Sequence, residues 1–510
     1  MKLIDSFLNK ITMYKLTLYY LIGLLGAAVV LSFIGFLQFN PYDIILASLI
    51  VTVTCVVANY VLAKMFKAVT NVESVYITAL ILTLIIPTKL PVNLMFLIGA
   101  SVVAMAAKYL LTINKRHLFN PVAASVVGIS LLSPEHAATW WVSAPVMLPF
   151  ILVGGFLLLR KLQRWNMVII FLSVYLLIIG VGSILTTGSL ISVITLWQKS
   201  ILYSPIFFFS VVMLTEPLTS PASQKQRGYF SMVTALFFAT SQLRFLALGL
   251  TPEMALCLGN VFSYLISPNY RLSLFLQSKI RLSRDTFLFG FKKPNDFNFI
   301  PGQYMEWTLP HTKADSRGNR RYFSISSSPT EDEINMTVKF YDKASSYKTE
   351  LLNLQNSKQL VAAQVAGDFT LPKDLKIPMV FIAGGVGIAP FRSMIKYIVD
   401  KNLQVNIILI FTNRTKEDIL FADIFKRAES NGVKTIYNLT DLENLPIDWM
   451  GSAGHITAEK IQTLIPDYQS RYYYLSGPQL MVQNFEGELS EAGISKAQIK
   501  TDFFPGYTEK

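Results

Sequence analysis

The fold of the second half of this chain is decided by the stretch Arg320-Arg321-Tyr322-Phe323-Ser324-Ile325-Ser326-Ser327. Further along stands a glycine-rich stretch, Ala383-Gly384-Gly385-Val386-Gly387-Ile388-Ala389-Pro390. A glycine loop that follows an apolar strand and opens a helix binds phosphate through backbone N–H groups and the helix dipole. Because a lone glycine loop is weak evidence, both stretches must be read with the sequence around them.

The sequence around the two stretches predicts two domains of different type. From about Arg271 the chain consists of short β-rich runs separated by turns, which predicts an antiparallel β-barrel over residues 271–375. After residue 378, apolar strands alternate with helices, as in a parallel sheet. We therefore predict a parallel α/β domain over residues 376–510.

The first stretch resembles the Arg-x-Tyr-Ser pattern of the ferredoxin–NADP reductase family, with Phe323 in place of Tyr. The resemblance implies that Arg321 pairs with the flavin pyrophosphate, because its forked guanidinium suits phosphate oxygens. It also implies that Phe323 packs on the flavin ring or ribityl chain. Ser324 would hydrogen-bond flavin N5, the hydride acceptor. Tyr322 lies in the same expected cofactor-binding stretch.

A second flavin stretch favours FAD over FMN. Val338-Lys339 and Ser345-Ser346 are similar to the family's adenine-side segment, where small residues let the backbone approach the diphosphate. We count these four residues among the expected FAD-binding positions.

The remaining motifs concern the nicotinamide nucleotide. Ser476-Gly477-Pro478-Gln479-Leu480-Met481 resembles the family's Cys-Gly-Pro-x-x-Met beside the nicotinamide, with Ser476 replacing the usual Cys. The expected nucleotide-binding residues are Gly384, Gly385, Gly387, Pro390, Arg414, Gly477, Pro478 and Met481. The tail from Asp502 to Tyr507 resembles the family's terminal acid-Phe-x-Gly-Tyr, whose aromatic residues cover the flavin. The expected catalytic residues are Ser324, Ser476 and Tyr507.

Arg414 leaves the choice of nucleotide open. It follows the second strand of the predicted parallel sheet, where it could take the 2′-phosphate of NADPH. It could equally be a solvated loop arginine, so NADH and NADPH both remain candidates.

The first half of the chain has a different composition. Residues 1–270 hold six acidic residues against sixteen Lys and Arg, so most of the net charge of +13 lies there. A basic excess can indicate nucleic acid, but these basic residues lie between apolar runs. The pattern therefore indicates membrane topology, with the lipid bilayer as partner and no nucleic acid.

The apolar runs predict a polytopic α-helical membrane domain over residues 1–270. We read about ten spans, each near the roughly 20 apolar residues that cross a bilayer, although some are shorter. They lie near 17–38, 43–66, 74–87, 93–112, 120–133, 143–160, 166–185, 201–215, 229–247 and 251–268. The positive-inside rule then predicts a multi-pass protein of a prokaryotic inner (plasma) membrane, with both termini and the reductase domain cytoplasmic.

Short, proline-ended spans suggest an inverted repeat with a site between its halves. The strings Phe119-Asn120-Pro121 and Thr215-Glu216-Pro217 resemble landmarks of a known family, the B subunit of sodium-translocating NADH:quinone reductase and the D subunit of Rnf complexes. Its members carry FMN on a threonine in an Asp-Gly-x-Ser-Gly-Ala-Thr string, which this chain lacks. Thr139 follows two alanines without the upstream Asp and Ser, which makes it a weak candidate anchor, and a second, noncovalent flavin is also open.

Two further expectations concern the same half. Trp140 and Trp141 are expected at the outer membrane interface, where such residues form belts. The two cysteines and four histidines have no metal-site or haem spacing, so no metal is expected.

Three hypotheses of function follow. The first is an oxidoreductase that takes hydride from cytoplasmic NAD(P)H onto FAD and passes electrons to a quinone or a second flavin. The second is a transporter or channel regulated or powered by the flavin domain. The third is an anchored reductase for a separate soluble partner. The sequence leaves the acceptor, ion pumping and the oligomeric state open.

Overall fold

The computed structural model describes residue 4 and residues 7–8, 11–66, 72–113, 116–132, 137–241, 249–267, 271–311, 314–315, 318–341, 344–356 and 358–502. The chain divides into two compact units, Met1–Asn269 and Tyr270–Lys510, each with its own core. The predicted catalytic residue Tyr507 lies outside the described residues.

The first unit is built from helices. Their bounds are Met13–Phe33, Pro41–Met65, Val72–Ile85, Leu94–Leu110, Pro121–Leu132, Leu148–Leu162, Trp165–Thr187, Leu190–Tyr203, Ile206–Phe208, Gln224–Ala239 and Pro252–Ile266, with a π-helical turn at Phe209–Met213. Two short strands, β1 (Thr112–Ile113) and β2 (Arg116–His117), form a hairpin. Each of the ten predicted spans overlaps at least one of these helices.

Among the described residues, four helices are long and apolar enough to cross a membrane. They are Met13–Phe33, Pro41–Met65, Pro145–Leu162 and Trp165–Thr187. A fifth candidate is the pair Leu190–Tyr203 and Ile206–Met213, which meet at 66°. Four further apolar helices are shorter, so the count of ten crossings stays a prediction.

The bent pair differs from the predicted span at 201–215. Helix Leu190–Tyr203 was not predicted because Gln198 and Lys199 interrupt its apolar run. The bend falls at Ser204-Pro205, where proline lacks the N–H that would continue the hydrogen-bond ladder.

The structure contradicts the interfacial placement of the two tryptophans. Trp140 and Trp141 are only 7% and 4% exposed. The Trp140 indole donates to Glu253 Oε1 at 2.6 Å, and the Trp141 indole donates to the Thr83 carbonyl at 2.8 Å. Each ring is buried because its N–H finds an acceptor inside the unit, and a residue pattern cannot reveal such distant acceptors.

The second unit begins with six strands in one antiparallel sheet. They are β3 (Arg271–Arg281), β4 (Thr286–Lys292), β5 (Tyr304–Thr308), β6 (Arg320–Ser324), β7 (Glu333–Lys339) and β8 (Gln359–Ala366). Their order is β6-β5-β8-β3-β4-β7. A bridge between Ile325 and Met336 joins the chain after β6 to β7, so the two edge strands approach each other. Trp307 and Tyr347 fill the core beneath them.

The rest of the second unit is a parallel sheet. Its strands are β9 (Met379–Gly384), β10 (Ile407–Asn413), β11 (Val433–Leu439), β12 (Ser452–Ala453), β13 (Tyr472–Ser476) and β14 (Ile499–Asp502), in the order β12-β11-β10-β9-β13-β14. The chain runs outward from β9 to β12 and then returns to the other side of β9 as β13. Ligands of open parallel sheets bind at such a switch point, beyond the carboxyl ends of the strands.

Candidate functional site

Two sequence stretches predicted for FAD converge at one ring. Arg321 and Phe323 lie on β6, and the guanidinium of Arg321 is 5.1 Å from the centre of the Tyr347 ring. The Phe323 ring centre is 6.2 Å from the same ring. Tyr347 directly follows Ser345-Ser346, so the structure brings the arginine and the small-residue segment together. This arrangement fits a flavin whose pyrophosphate faces Arg321.

The two serines are held in a defined way. Ser345 caps the helix Ser346–Leu352 by accepting from the N–H of Lys348. The backbone N–H of Ser346 donates to Asp315 Oδ2 at 3.0 Å, and its Oγ accepts from the Asp315 N–H at 2.8 Å. Asp315 therefore fixes the start of this helix through both the N–H and the Oγ of Ser346.

The other members of the two stretches lie apart. Tyr322 points to the opposite face of β6, where its hydroxyl donates to Glu306 Oε2 at 2.7 Å. Val338 is buried in the core of the antiparallel sheet. The Lys339 side chain faces Asp285 and Asp418 at 3.2 and 3.7 Å and lines the cavity described below, while its carbonyl accepts from Lys348 Nζ at 2.8 Å.

Asp502 connects the strand ends that carry Ser324 and Ser476. Ser324 Oγ donates to Asp502 Oδ2 at 3.3 Å. Asp502 ends β14, where it pairs in register with Ser476 at the end of β13. The structure thus joins the expected flavin side and nicotinamide side through Asp502. Asp502 was not among the predicted catalytic residues. It is the acid of the terminal motif, and that motif is the sequence signal for its place in the site.

The glycine loop packs against the second nicotinamide motif. A Cβ on Gly387 would lie 2.4 Å from the Ser476 carbonyl oxygen and 2.6 Å from Gly477 Cα. A Cβ on Gly384 would lie 2.1 Å from Met481 Sδ. Gly385 has a φ of +52°, which favours glycine. The motifs at 384–387 and 476–481 therefore form one surface at the switch point between β9 and β13.

This surface is one wall of a cavity of about 670 Å³. Gly384, Gly385, Pro478 and Met481 lie on that wall, and Arg414 lies on the wall formed by the ends of β10 and β11. Pro390 sits in the first turn of helix Ala389–Asp400, behind the loop. The cavity has the size of a small-molecule site and brings together the glycines, the Gly-Pro-x-x-Met motif and the arginine.

The cavity includes an amide that the sequence reading did not consider. Asn413 lines it and is 4% exposed, and both polar atoms of its side chain are buried without a hydrogen-bond partner. A buried amide without partners is costly, so Asn413 is a further candidate to hydrogen-bond a ligand. Its only sequence signal was the neighbouring Arg414.

Two landmarks of the first unit also meet. Asn120 Nδ2 donates to Glu216 Oε2 at 2.8 Å, although the two residues are 96 positions apart. Thr219 Oγ1 donates to the same oxygen at 3.0 Å, and the Asn120 N–H donates to Asn260 Oδ1 at 2.9 Å. The Phe-Asn-Pro and Thr-Glu-Pro strings thus form one polar cluster inside an apolar unit.

Known proteins resemble the second unit. The family model described as an oxidoreductase NAD-binding domain matches residues 381–486. A flavohemoprotein of Bacillus cereus is 27% identical over 229 residues, which are 42% of this chain and 56% of the relative. The C-terminal half is a ferredoxin–NADP reductase-like domain that binds FAD and NAD(P)H. The prediction of a FAD- and NAD(P)H-dependent oxidoreductase is supported for this half, because its homologues are enzymes of that kind.

Two further similarities cover the reductase domain. The glycine betaine monooxygenase reductase subunit of Chromohalobacter salexigens is 27% identical over 226 residues, 43% of this chain and 60% of the relative. The crystal structure of a cytochrome P450 reductase from Amycolatopsis has a TM-score of 0.41 and 23% identity, covering 47% of this chain and 70% of that one. The chain thus spans little more than half the length of the curated relatives it matches.

We predict that Asp502 makes the stability of the reductase domain depend on pH. Burial raises the pKa of this carboxyl to about 7, and the hydrogen bond from Ser324 opposes the shift only in part. Because the folded pKa exceeds the unfolded value, protonated Asp502 contributes to the free energy of unfolding below about pH 4. That contribution is lost as the pH rises through about 7. Asp502→Asn should therefore stabilise the domain relative to the natural chain by roughly 2 kcal/mol at pH 8 and by much less at pH 5.

Urea unfolding of the full chain in detergent at both pH values measures this difference. The matched control is Asp374→Asn, which changes an exposed aspartate of the same unit. An identical pH dependence for the natural chain and the Asp502→Asn variant would contradict the assignment.

Proposed function

We propose that this chain is a membrane-bound flavoprotein oxidoreductase that takes hydride from cytoplasmic NAD(P)H onto FAD and passes electrons to an acceptor at or across the membrane. The observation that carries the proposal is the position of Asp502, which accepts a hydrogen bond from Ser324 and pairs in strand register with Ser476. It joins the strand end expected beside the flavin to the strand end expected beside the nicotinamide, and hydride transfer requires the two rings in contact.

The residues have separable tasks in this proposal. Bound FAD would supply the hydride acceptor and a store from which electrons leave singly. Arg321 would neutralise the flavin pyrophosphate, and the loop at Gly384–Gly387 would hold the nucleotide phosphates through backbone N–H groups. Pro478 and Met481 would position the nicotinamide against the glycine loop. Asp502 would hold a proton beside Ser324, at the place where hydride arrives.

The membrane unit would receive the electrons. Its long apolar helices and its basic inter-helix segments support placement in an inner membrane with the reductase domain on the cytoplasmic side. The cluster of Asn120, Glu216 and Thr219 supports the relation to the NADH:quinone reductase B and Rnf D subunits, because it joins the strings that carry the resemblance. The acceptor in this proposal is a quinone or a second, noncovalent flavin.

A second candidate function is an anchored reductase that serves a separate soluble protein. The similarity to a monooxygenase reductase subunit favours it, because that relative is by its description the reductase subunit of a monooxygenase. The two candidates differ in what the membrane unit does. Electron transfer to a quinone requires the membrane unit, whereas delivery to a soluble acceptor does not.

The test is to purify the full chain in detergent, identify its extracted cofactors and measure NAD(P)H oxidation with ferricyanide and with a water-soluble quinone. We expect FAD and oxidation of at least one nicotinamide nucleotide with either acceptor. Arg321→Leu should lower the FAD content, and Arg427→Leu, an exposed arginine of the same unit, should not. Protein without flavin and without NAD(P)H oxidation would refute the proposal. Ferricyanide reduction without quinone reduction would favour the anchored reductase.

A further inference from the structure

NADH and NADPH differ only at the 2′ position of the adenosine ribose, so the residues that contact this position select between them. Arg414 follows β10, lines the cavity and has a side chain that is 80% exposed. An arginine at this place can accept a 2′-phosphate, whereas an acidic residue accepts hydrogen bonds from the ribose 2′-hydroxyl of NADH. The balance of charge around Arg414 therefore decides which nucleotide the site prefers.

Asp441 is fixed against Arg414. Its Oδ2 lies 3.4 Å from Arg414 Nε, and its backbone N–H donates to the Arg414 carbonyl at 3.2 Å. Asn444 donates to both carboxylate oxygens, at 3.3 Å from its backbone N–H and 3.1 Å from Nδ2. The hydrogen bonds from Asn444 hold the pKa of Asp441 below its usual value. The carboxylate is therefore ionised and held in place by the fold rather than by the ion pair alone.

Two further hydrogen bonds join the same two segments, which follow β10 and β11. The Thr440 N–H donates to the Asn413 carbonyl at 2.9 Å, and Thr440 Oγ1 donates to the same oxygen at 3.2 Å. These bonds continue the pairing of β10 with β11 beyond the strand ends. The backbones of Arg414 and Asp441 are thus held next to each other by hydrogen bonds.

The other charges of the cavity are mostly negative. Glu488 and Glu491 project from helix Gln479–Glu491, and Asp418 lies beside Lys339. Both basic side chains of the cavity lining, Lys339 and Arg414, already face carboxylates. A 2′-phosphate would bring about two further negative charges to this place, and the carboxylates would repel them.

We infer that the nucleotide site selects NADH, and that Asp441 sets this preference by pairing with Arg414, accepting from the ribose hydroxyl and repelling a 2′-phosphate. The inference rests on the proposed function, because it requires that the cavity binds a nicotinamide nucleotide. It adds a specificity residue that lies two strands away from the glycine loop.

The test is the ratio of kcat/KM for NADH to that for NADPH, measured on the full chain in detergent with ferricyanide as acceptor. We expect the natural chain to favour NADH at least about tenfold. Asp441→Asn should lower this ratio about tenfold or more, because it keeps the shape and removes the charge. The matched control Glu443→Gln removes one charge from an exposed residue of the same loop and should leave the ratio unchanged.

Two further measurements separate charge from misfolding. Adding Arg414→Leu to Asp441→Asn should abolish the increase in kcat/KM for NADPH. That increase would come from the Arg414 guanidinium, which Asp441→Asn frees from its ion pair. The preference for NADH should also weaken at high salt, since salt screens such exposed charges. A natural chain that prefers NADPH, or an Asp441→Asn ratio equal to that of Glu443→Gln, would overturn the inference while leaving the proposed function intact. Oxidation of neither nucleotide would refute the proposed function itself.

Discussion

Replacing Gly387 with alanine should lower kcat/KM for the preferred nicotinamide nucleotide by about 100-fold, while FAD remains bound. The added Cβ would lie 2.4 Å from the Ser476 carbonyl oxygen and 2.6 Å from Gly477 Cα. Both are backbone atoms at the end of β13, which cannot rotate away as a side chain can. The glycine loop must therefore move, and a displacement of about 1 Å in a site that positions reactants costs about 100-fold in rate.

Two companion variants make this prediction specific. Gly384→Ala introduces a Cβ that meets the sulfur of Met481, a flexible side chain, so its effect should be several-fold smaller. Gly26→Ala places a Cβ in open space in the first unit and should not change nucleotide oxidation. The measurements are steady-state kinetics with ferricyanide and the flavin absorbance of each purified variant. Normal kinetics for Gly387→Ala would show that the loop does not hold the nucleotide.

Replacing Arg392 with methionine should destabilise the reductase domain by about 3 kcal/mol. Arg392 lies on helix Ala389–Asp400, directly behind the glycine loop, and its side chain is 8% exposed. Its Nη1 donates to the Ser326 carbonyl at 3.0 Å and its Nη2 to Glu331 Oε1 at 2.9 Å. Removing the guanidinium leaves the Glu331 carboxylate mostly buried without its ion-pair partner and removes the hydrogen bond from this helix to the Ser326 carbonyl, just after β6.

The same helix offers a control. Lys396 pairs with Asp400 near the surface, so Lys396→Met should change the free energy of unfolding by no more than about 0.5 kcal/mol. Adding Glu331→Leu to Arg392→Met should restore part of the loss, because it removes the unpaired charge. Urea unfolding followed by flavin fluorescence gives all three values. Equal stability of the Arg392→Met and Lys396→Met variants would show that the buried Arg392–Glu331 pair does not stabilise the domain.

Features that depend on neighbouring residues were accessible from the sequence. The apolar run Met379–Ala383 followed by glycines predicts a strand that turns into a helix, because strand periodicity and glycine conformation are local properties. The same holds for the apolar helices of the first unit, whose length and composition set their membrane preference. The change in composition near residue 270 likewise needs only the order of residues.

Other features required the folded chain. Asp502 accepts a hydrogen bond from Ser324 although 178 positions separate them, and the sequence alone does not show which distant residues come together. Lys339 was expected beside FAD, yet its side chain lines the nucleotide cavity and faces Asp418. Trp140 looks like an interfacial residue until Glu253 is found within hydrogen-bond distance of its indole.

The opening stretch at 320–327 shows where the division lies. Its residue types alone indicate a strand that can face a flavin, and with the glycine loop they identify the chemistry of the reductase domain. Which side chains lie near one another was decided by strand order, because β14 returns beside β13 and brings Asp502 next to Ser476 and within hydrogen-bond distance of Ser324. Local sequence encodes conformation and chemical type through short-range sterics and polarity. Only tertiary packing sets the distances, burial and charge balance on which catalysis and nucleotide choice depend.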